Sequence, residues 1–179
     1  LLKKDQKYLI TGAYFNADSL IENILKENQN KTDLINIDSN FKIDIDKVRL
    51  DENNNLLNFS GNLIFENRKI NEAKLEGFFT KNQKFKLTIN TNGDNKITTL
   101  FLDRAEPIIR RYKFIKGFED GELDYYSTSN GKETRSTLKI YDFKLKKMPI
   151  LTKVLTLASL QGVADILSGE GIRFNEFEM

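Results

Sequence analysis

Residues 34–102 alternate between apolar and polar side chains over almost their whole length. Phe41, Ile43 and Ile45 alternate with charged residues, and Val48 resumes the alternation one residue out of phase, which fits a β-bulge. Short sequences rich in asparagine, aspartate and glycine separate the apolar runs, as turns do. The pattern therefore predicts a meander of antiparallel strands.

The segments on either side of the meander combine strand and helix signals. Residues 1–33 predict one strand followed by an amphipathic helix. The remainder predicts, in order, a short helix over 104–112, a hairpin with strands at 121–127 and 134–145, a long helix over 149–167 and a final strand. The expected fold class is mainly β with a few helices, in a single domain spanning residues 1–179.

Composition limits the chemistry that the chain can perform. Cysteine and histidine are absent, which excludes disulfides, Ser-His and Cys-His pairs and ordinary zinc sites. A net charge of +2 provides no long-range attraction to nucleic acid. No sequence indicates a cofactor, since Gly169-Glu170-Gly171 lacks the remaining residues of a phosphate-binding loop. The most apolar segment, 149–167, is interrupted by charges and predicts a buried or amphipathic helix rather than a membrane span.

Charged clusters at 44–52, at 119–124 and among the basic residues of 104–116 fall mainly on polar strand faces and turns, where solvated charge is the ordinary explanation. An enzyme built on this chain would need a carboxylate pair such as Asp142 with Glu170. We expect the chain not to be an enzyme and to bind no metal.

The stretch 138–177 has the most specific sequence in the chain. Its distinctive residues are a strand ending in Asp142 and Phe143, a helix start at Pro149, a helix core containing Ser159 and Leu160, and an exit through Gly169 and Gly171 into Phe174. Together they resemble the C-terminal region of AsmA-like proteins, in particular the long YhdP-type members. Weaker similarity extends upstream through 12–20, 102–105 and 117–123.

The resemblance implies that this chain is the C-terminal segment of a longer bacterial envelope protein. Such a protein would lie in the periplasm, be anchored in the inner membrane through a segment outside this chain, and reach partners at the inner and outer membranes. The implied architecture is an antiparallel meander forming a curved, groove-like sheet, with the long helix near the C-terminus. Phospholipid acyl chains would bind this groove and move along it without catalysis. The candidate lining residues are Leu63, Phe65, Leu75, Phe79, Phe85, Leu87 and Ile89.

A different class of function is compatible with the same pattern. The helix over 149–167 would close the apolar face, and the domain would then be a structural or protein-docking module. An open apolar face favours lipid conduction, whereas a covered face favours docking.

Overall fold

The computed structural model describes residues 6–21, 38–67, 69–112, 117–146 and 171–179. Within them the chain is mainly β, as the alternation predicts, and the long helix expected over 149–167 lies outside the described residues. The strands are β1 (Gln6–Gly12), β2 (Phe15–Asn16), β3 (Ser39–Arg49), β4 (Asn55–Glu66), β5 (Lys69–Thr80), β6 (Gln83–Asn92), β7 (Asn95–Leu102), β8 (Phe118–Ser129), β9 (Thr134–Leu145) and β10 (Ile172–Glu178). Their order is β1-β3-β4-β5-β6-β7-β8-β9-β10, with β2 also paired to β3.

The predicted meander is confirmed for the strands of residues 39–92. β3 and β4, β4 and β5, and β5 and β6 pair antiparallel through short turns. The single strand expected before the helix is instead two strands, β1 and β2, and both run parallel to β3. Residues 18–21 begin the predicted N-terminal helix, and its remaining residues lie outside the described part of the chain.

A paired irregularity in β3 and β4 explains the phase shift in the sequence. Register pairing passes from Ile45 opposite Phe59 to Lys47 opposite Leu57, and Asn58 adopts a φ of 49°. The β4–β5 register shifts at the same place. Val48 and Leu56 are consequently buried, although each lies three residues from its apolar neighbour on the same strand. The β3–β4 register is the same on both sides of this point, so the bulge predicted after Ile45 inserts no residue between these two strands, and the register shift lies between β4 and β5.

The chain divides into two compact units. Unit 1 comprises Leu1–Phe101 and Tyr125–Ser136, and unit 2 comprises Leu102–Asp124 and Thr137–Met179. Unit 1 contains β1 to β6 and most of β7, together with the tip of the β8–β9 hairpin. Unit 2 contains the base of that hairpin, a short helix and β10.

The short helix of unit 2 spans Glu106–Tyr112. It begins later than predicted, because the carbonyl of Ala105 accepts the first helical hydrogen bonds, and Pro107 therefore lies in the first turn, where proline is tolerated. The backbone N–H of Ala105 donates to the carbonyl of Gly121 at 2.6 Å. Arg110 Nε donates to the carbonyl of Phe118 at 3.0 Å. These bonds hold the helix against the base of the hairpin. No helix in the described part of the chain has the length and apolarity needed to cross a membrane.

Candidate functional site

One face of the sheet in unit 1 carries apolar side chains on five neighbouring strands. Residues directly opposite on paired strands point to the same side, so the registers define rows across the sheet. The first row contains Tyr8, Phe41, Leu63, Ala73 and Ile89. The second row contains Ile10, Ile43, Gly61, Leu75 and Leu87. The third row contains Gly12, Ile45, Phe59, Gly77 and Phe85. We call these rows, with Phe65 and Phe79 at their two ends, the apolar face.

The opposite face of the same strands is polar. Between the apolar rows lie two rows of charged, amide and hydroxyl side chains. The first of these contains Lys42, Asn62, Lys74 and Thr88, and the second contains Asp44, Ser60, Glu76 and Lys86. The two-residue period of the sequence thus separates an apolar side of the sheet from a solvated side.

All seven lining residues expected from the resemblance belong to the apolar face. Leu75, Phe79 and Ile89 are buried, with 8% to 9% of their surface exposed. Leu63, Phe65, Phe85 and Leu87 are half-buried. Among these seven residues, the two on β5 and Ile89 on β6 are the most buried, and the other four side chains are partly exposed.

Two glycines leave depressions in the apolar face. Gly61 has a φ of 145°, and a Cβ built there would lie 1.9 Å from the carbonyl oxygen of Lys74. Gly77 lies between Phe59 and Phe85, whose ring centroids are 6.1 Å apart although their strands are not neighbours. The two rings approach each other over Gly77 because it has no side chain. The face is thus continuous from β4 to β6 at this level.

The apolar face extends further toward β1 than the sequence indicated. Tyr8 stacks on Phe41 with ring centroids 5.1 Å apart, and Phe41 meets Phe65 edge-on at 6.0 Å. The hydroxyl of Tyr8 also hydrogen-bonds the side-chain oxygen of Gln6. The pattern alone could not include Tyr8, because its contact with Phe41 depends on the parallel pairing of β1 with β3.

A cleft of about 270 Å³ lies at one end of β3 and β4. Its lining includes Lys7, Asn40 and Ile64, which are register partners. These positions are one residue out of step with Tyr8, Phe41 and Leu63, so they belong to the polar side of the sheet. Ser39 and Phe65, which are register partners on the apolar side, also line the cleft, so residues from both sides of the sheet meet at this end of the strands.

The residues that carry the family resemblance meet in unit 2 where they are described. Phe143 is buried and stacks between Phe118 at 5.3 Å and Phe174 at 5.2 Å. Gly171 adopts a φ of 83°, and a Cβ there would lie 2.9 Å from Lys146 Cγ. Pro149, Ser159, Leu160 and Gly169 lie outside the described residues. The described part of this motif is thus a packed aromatic core.

Asp142, the polar member of the motif, is exposed with a φ of 48°. Its conceivable carboxylate partner, Glu170, lies outside the described residues. Within the described ranges no group of three or more acidic side chains is arranged to hold a metal ion.

Two ion pairs connect β9 with β10. Lys139 Nζ lies 2.9 Å from Glu178 Oε2 and 3.5 Å from Glu176 Oε1. The hydrogen bond and charge of Glu178, with a smaller contribution from Glu176, raise the pKa of Lys139 above its ordinary value. A raised lysine pKa stabilises the fold at pH values below the unfolded-state pKa, and this contribution disappears as pH rises through the folded-state pKa. Because the pair is exposed, solvent screening keeps its contribution small.

Comparison of the chain with protein-family models, curated proteins and solved structures yields no match.

Proposed function

We propose that the apolar face of unit 1 binds phospholipid acyl chains and that the chain has no catalytic role. The observation that carries the proposal is the continuity of the apolar rows, which cross β3, β4, β5 and β6 without a charged side chain. The charged residues Lys42, Asp44, Lys74, Glu76 and Lys86 of these strands lie on the opposite side. Such a surface can shield hydrocarbon from water while the lipid headgroup remains solvated.

The energetics are adequate for reversible binding. Each methylene group removed from water contributes about 0.8 kcal/mol, so about ten methylenes against the face contribute about 8 kcal/mol. Association costs about 4 to 15 kcal/mol in lost translational and rotational freedom. The two quantities are of similar size, which suits a surface that holds a lipid and also releases it.

The wider setting follows from the resemblance to AsmA-like proteins. In this proposal the chain is part of a longer, inner-membrane-anchored periplasmic protein, and the apolar face is one section of a path along which phospholipid moves between the inner and outer membranes. Phe143 and Phe174 would stabilise unit 2 rather than contact lipid, because they pack with Phe118.

We expect Leu87→Glu to reduce lipid binding by at least about tenfold, equivalent to about 1.4 kcal/mol. Leu87 is half-buried in the second apolar row, and a carboxylate there would have to be desolvated beneath an acyl chain. The purified chain is incubated with vesicles of phosphatidylethanolamine and phosphatidylglycerol and reisolated. Bound lipid is then counted by mass spectrometry.

Thr88→Glu provides the matched control. Thr88 is the next residue on β6, is also half-buried and points to the polar side opposite Lys74. It should leave the bound lipid unchanged. Equal losses in both variants, or no lipid on the unmodified chain, would contradict the proposal. Circular dichroism establishes that both variants retain the sheet.

A second function, a structural or protein-docking module, is favoured by one observation. Leu75, Phe79 and Ile89 are buried, as expected for a face that is already covered. In that case the unmodified chain binds no lipid, and Leu87→Glu lowers the stability of the fold instead of a binding affinity.

A further inference from the structure

The cleft at the end of β3 and β4 adjoins the apolar face. Phe65 belongs to both, because it lines the cleft and also meets Phe41 edge-on with ring centroids 6.0 Å apart. Ser39, the register partner of Phe65, lines the cleft beside it and is 4% exposed. A lipid whose acyl chain lies against Phe41 and Phe65 therefore has its headgroup within reach of the cleft.

The size and charge of the cleft suit a headgroup rather than a whole lipid. Its volume of about 270 Å³ lies just below the range of about 300 to 1,000 Å³ that is typical of sites for drug-sized ligands. Its charged lining residues are one lysine, Lys7, and two carboxylates, Asp38 and Glu66, which together carry a net charge of −1. Amide groups are added by Asn40 and Asn67.

The cation and the carboxylates of the cleft come from different strands. Lys7 lies on β1 and Glu66 on β4, with β3 between them. Two strand spacings place their backbones about 10 Å apart, which leaves room for a small zwitterion between the side chains. The backbone N–H of Asn67 donates to Asp38 Oδ1 at 2.8 Å and holds that carboxylate beside the β4–β5 turn. Within the described residues, neither Lys7 nor Glu66 forms an ion pair.

We infer that the cleft binds a phospholipid headgroup that carries a primary ammonium, as phosphatidylethanolamine does. The inference rests on the proposed binding of acyl chains by the apolar face. Lys7 Nζ donates to the phosphate oxygens, and the lipid ammonium, which has three N–H donors, donates to the carboxylates of Glu66 and Asp38.

Other common headgroups match the cleft less well. Phosphatidylglycerol has a net charge of −1 and no ammonium, so the net negative charge of the cleft repels it. A quaternary ammonium has no N–H to donate and is recognised by cages of aromatic rings, whereas Phe65 is the one aromatic residue among those lining the cleft.

A competition between two lipids tests the headgroup site. The purified chain is incubated with vesicles that contain equal amounts of phosphatidylethanolamine and phosphatidylglycerol, and both bound lipids are counted by mass spectrometry. Because Lys7 and Glu66 are exposed, we expect a modest enrichment of phosphatidylethanolamine, about threefold. Glu66→Gln should reduce this enrichment by at least about half, with the total bound lipid close to that of the unmodified chain.

Glu76→Gln is the matched control, since it removes the same charge from an exposed position on the polar side, opposite Lys86 and outside the cleft. It should keep the full enrichment. Equal amounts of the two lipids on the unmodified chain, or the same enrichment in Glu66→Gln and Glu76→Gln, would overturn the headgroup site and leave acyl-chain binding intact. A chain that binds neither lipid would overturn both the headgroup site and the proposed function.

Discussion

Gly61→Ala is expected to destabilise unit 1 by at least about 4 kcal/mol, enough to prevent stable pairing of β4 with β5. The added Cβ would lie 1.9 Å from the carbonyl oxygen of Lys74 and 2.9 Å from its carbonyl carbon. Both are backbone atoms, so no side chain can rotate away to make room. A φ of 145° is also a conformation open almost exclusively to glycine. The measurement is urea unfolding followed by far-ultraviolet circular dichroism.

Gly12→Ala is the matched control for this substitution. Gly12 also lies in a strand, but it lacks a positive φ, and a Cβ there meets no atom within 4 Å. We expect its unfolding midpoint to remain close to that of the unmodified chain. If Gly61→Ala unfolds at the same denaturant concentration as Gly12→Ala, the backbone of Gly61 does not lie against the carbonyl group of Lys74.

Phe143→Ala is expected to reduce the stability of unit 2 by about 3 to 5 kcal/mol. Phe143 is 5% exposed, and its ring is stacked on both sides by the rings of Phe118 and Phe174. Truncation leaves a cavity and removes two aromatic contacts, each worth about 0.5 to 1.5 kcal/mol beyond the burial of area. Chemical unfolding monitored by circular dichroism measures the loss.

The control for the aromatic core is Phe177→Ala on the neighbouring strand. Phe177 is 43% exposed and pairs with Ile140 in the same ladder. Its truncation should cost less than about 1 kcal/mol. A Phe143→Ala variant as stable as Phe177→Ala would mean that the stack does not support the fold.

The sequence predicts the individual strands of the meander well because side-chain alternation is a local property. The phase shift between Ile45 and Val48 predicts a bulge in that strand, whereas the register shift lies between β4 and β5. The sequence does not show which of the two neighbouring residues Leu56 and Leu57 is buried. Both are leucines, and alternation from Phe59 selects Leu57, yet Leu56 is 2% exposed and Leu57 is 37% exposed. The irregularity at Asn58 reverses the alternation, and no local pattern reveals it.

The rows of the apolar face depend on strand register, which the pattern does not determine. Tyr8 contacts Phe41 only because β1 runs parallel to β3. A two-residue period is the same for parallel and antiparallel strands, so the sequence does not show the direction of pairing. Gly61 likewise resembles any other glycine in the sequence. Its role becomes visible only when pairing with β5 brings the Lys74 carbonyl beneath it. That the seven candidate residues are apolar strand positions follows from the sequence, whereas the surface that they share does not.

Photo-cross-linking with a phospholipid that carries a diazirine in its acyl chain tests acyl-chain binding most directly. The chain is irradiated with vesicles containing this lipid, and adducts are mapped by peptide mass spectrometry. If the apolar face binds acyl chains, adducts form at Leu63, Leu87 and neighbouring residues of the apolar rows. Adducts confined to polar-side positions such as Ile64 and Thr88, or the absence of adducts, would contradict the proposed function.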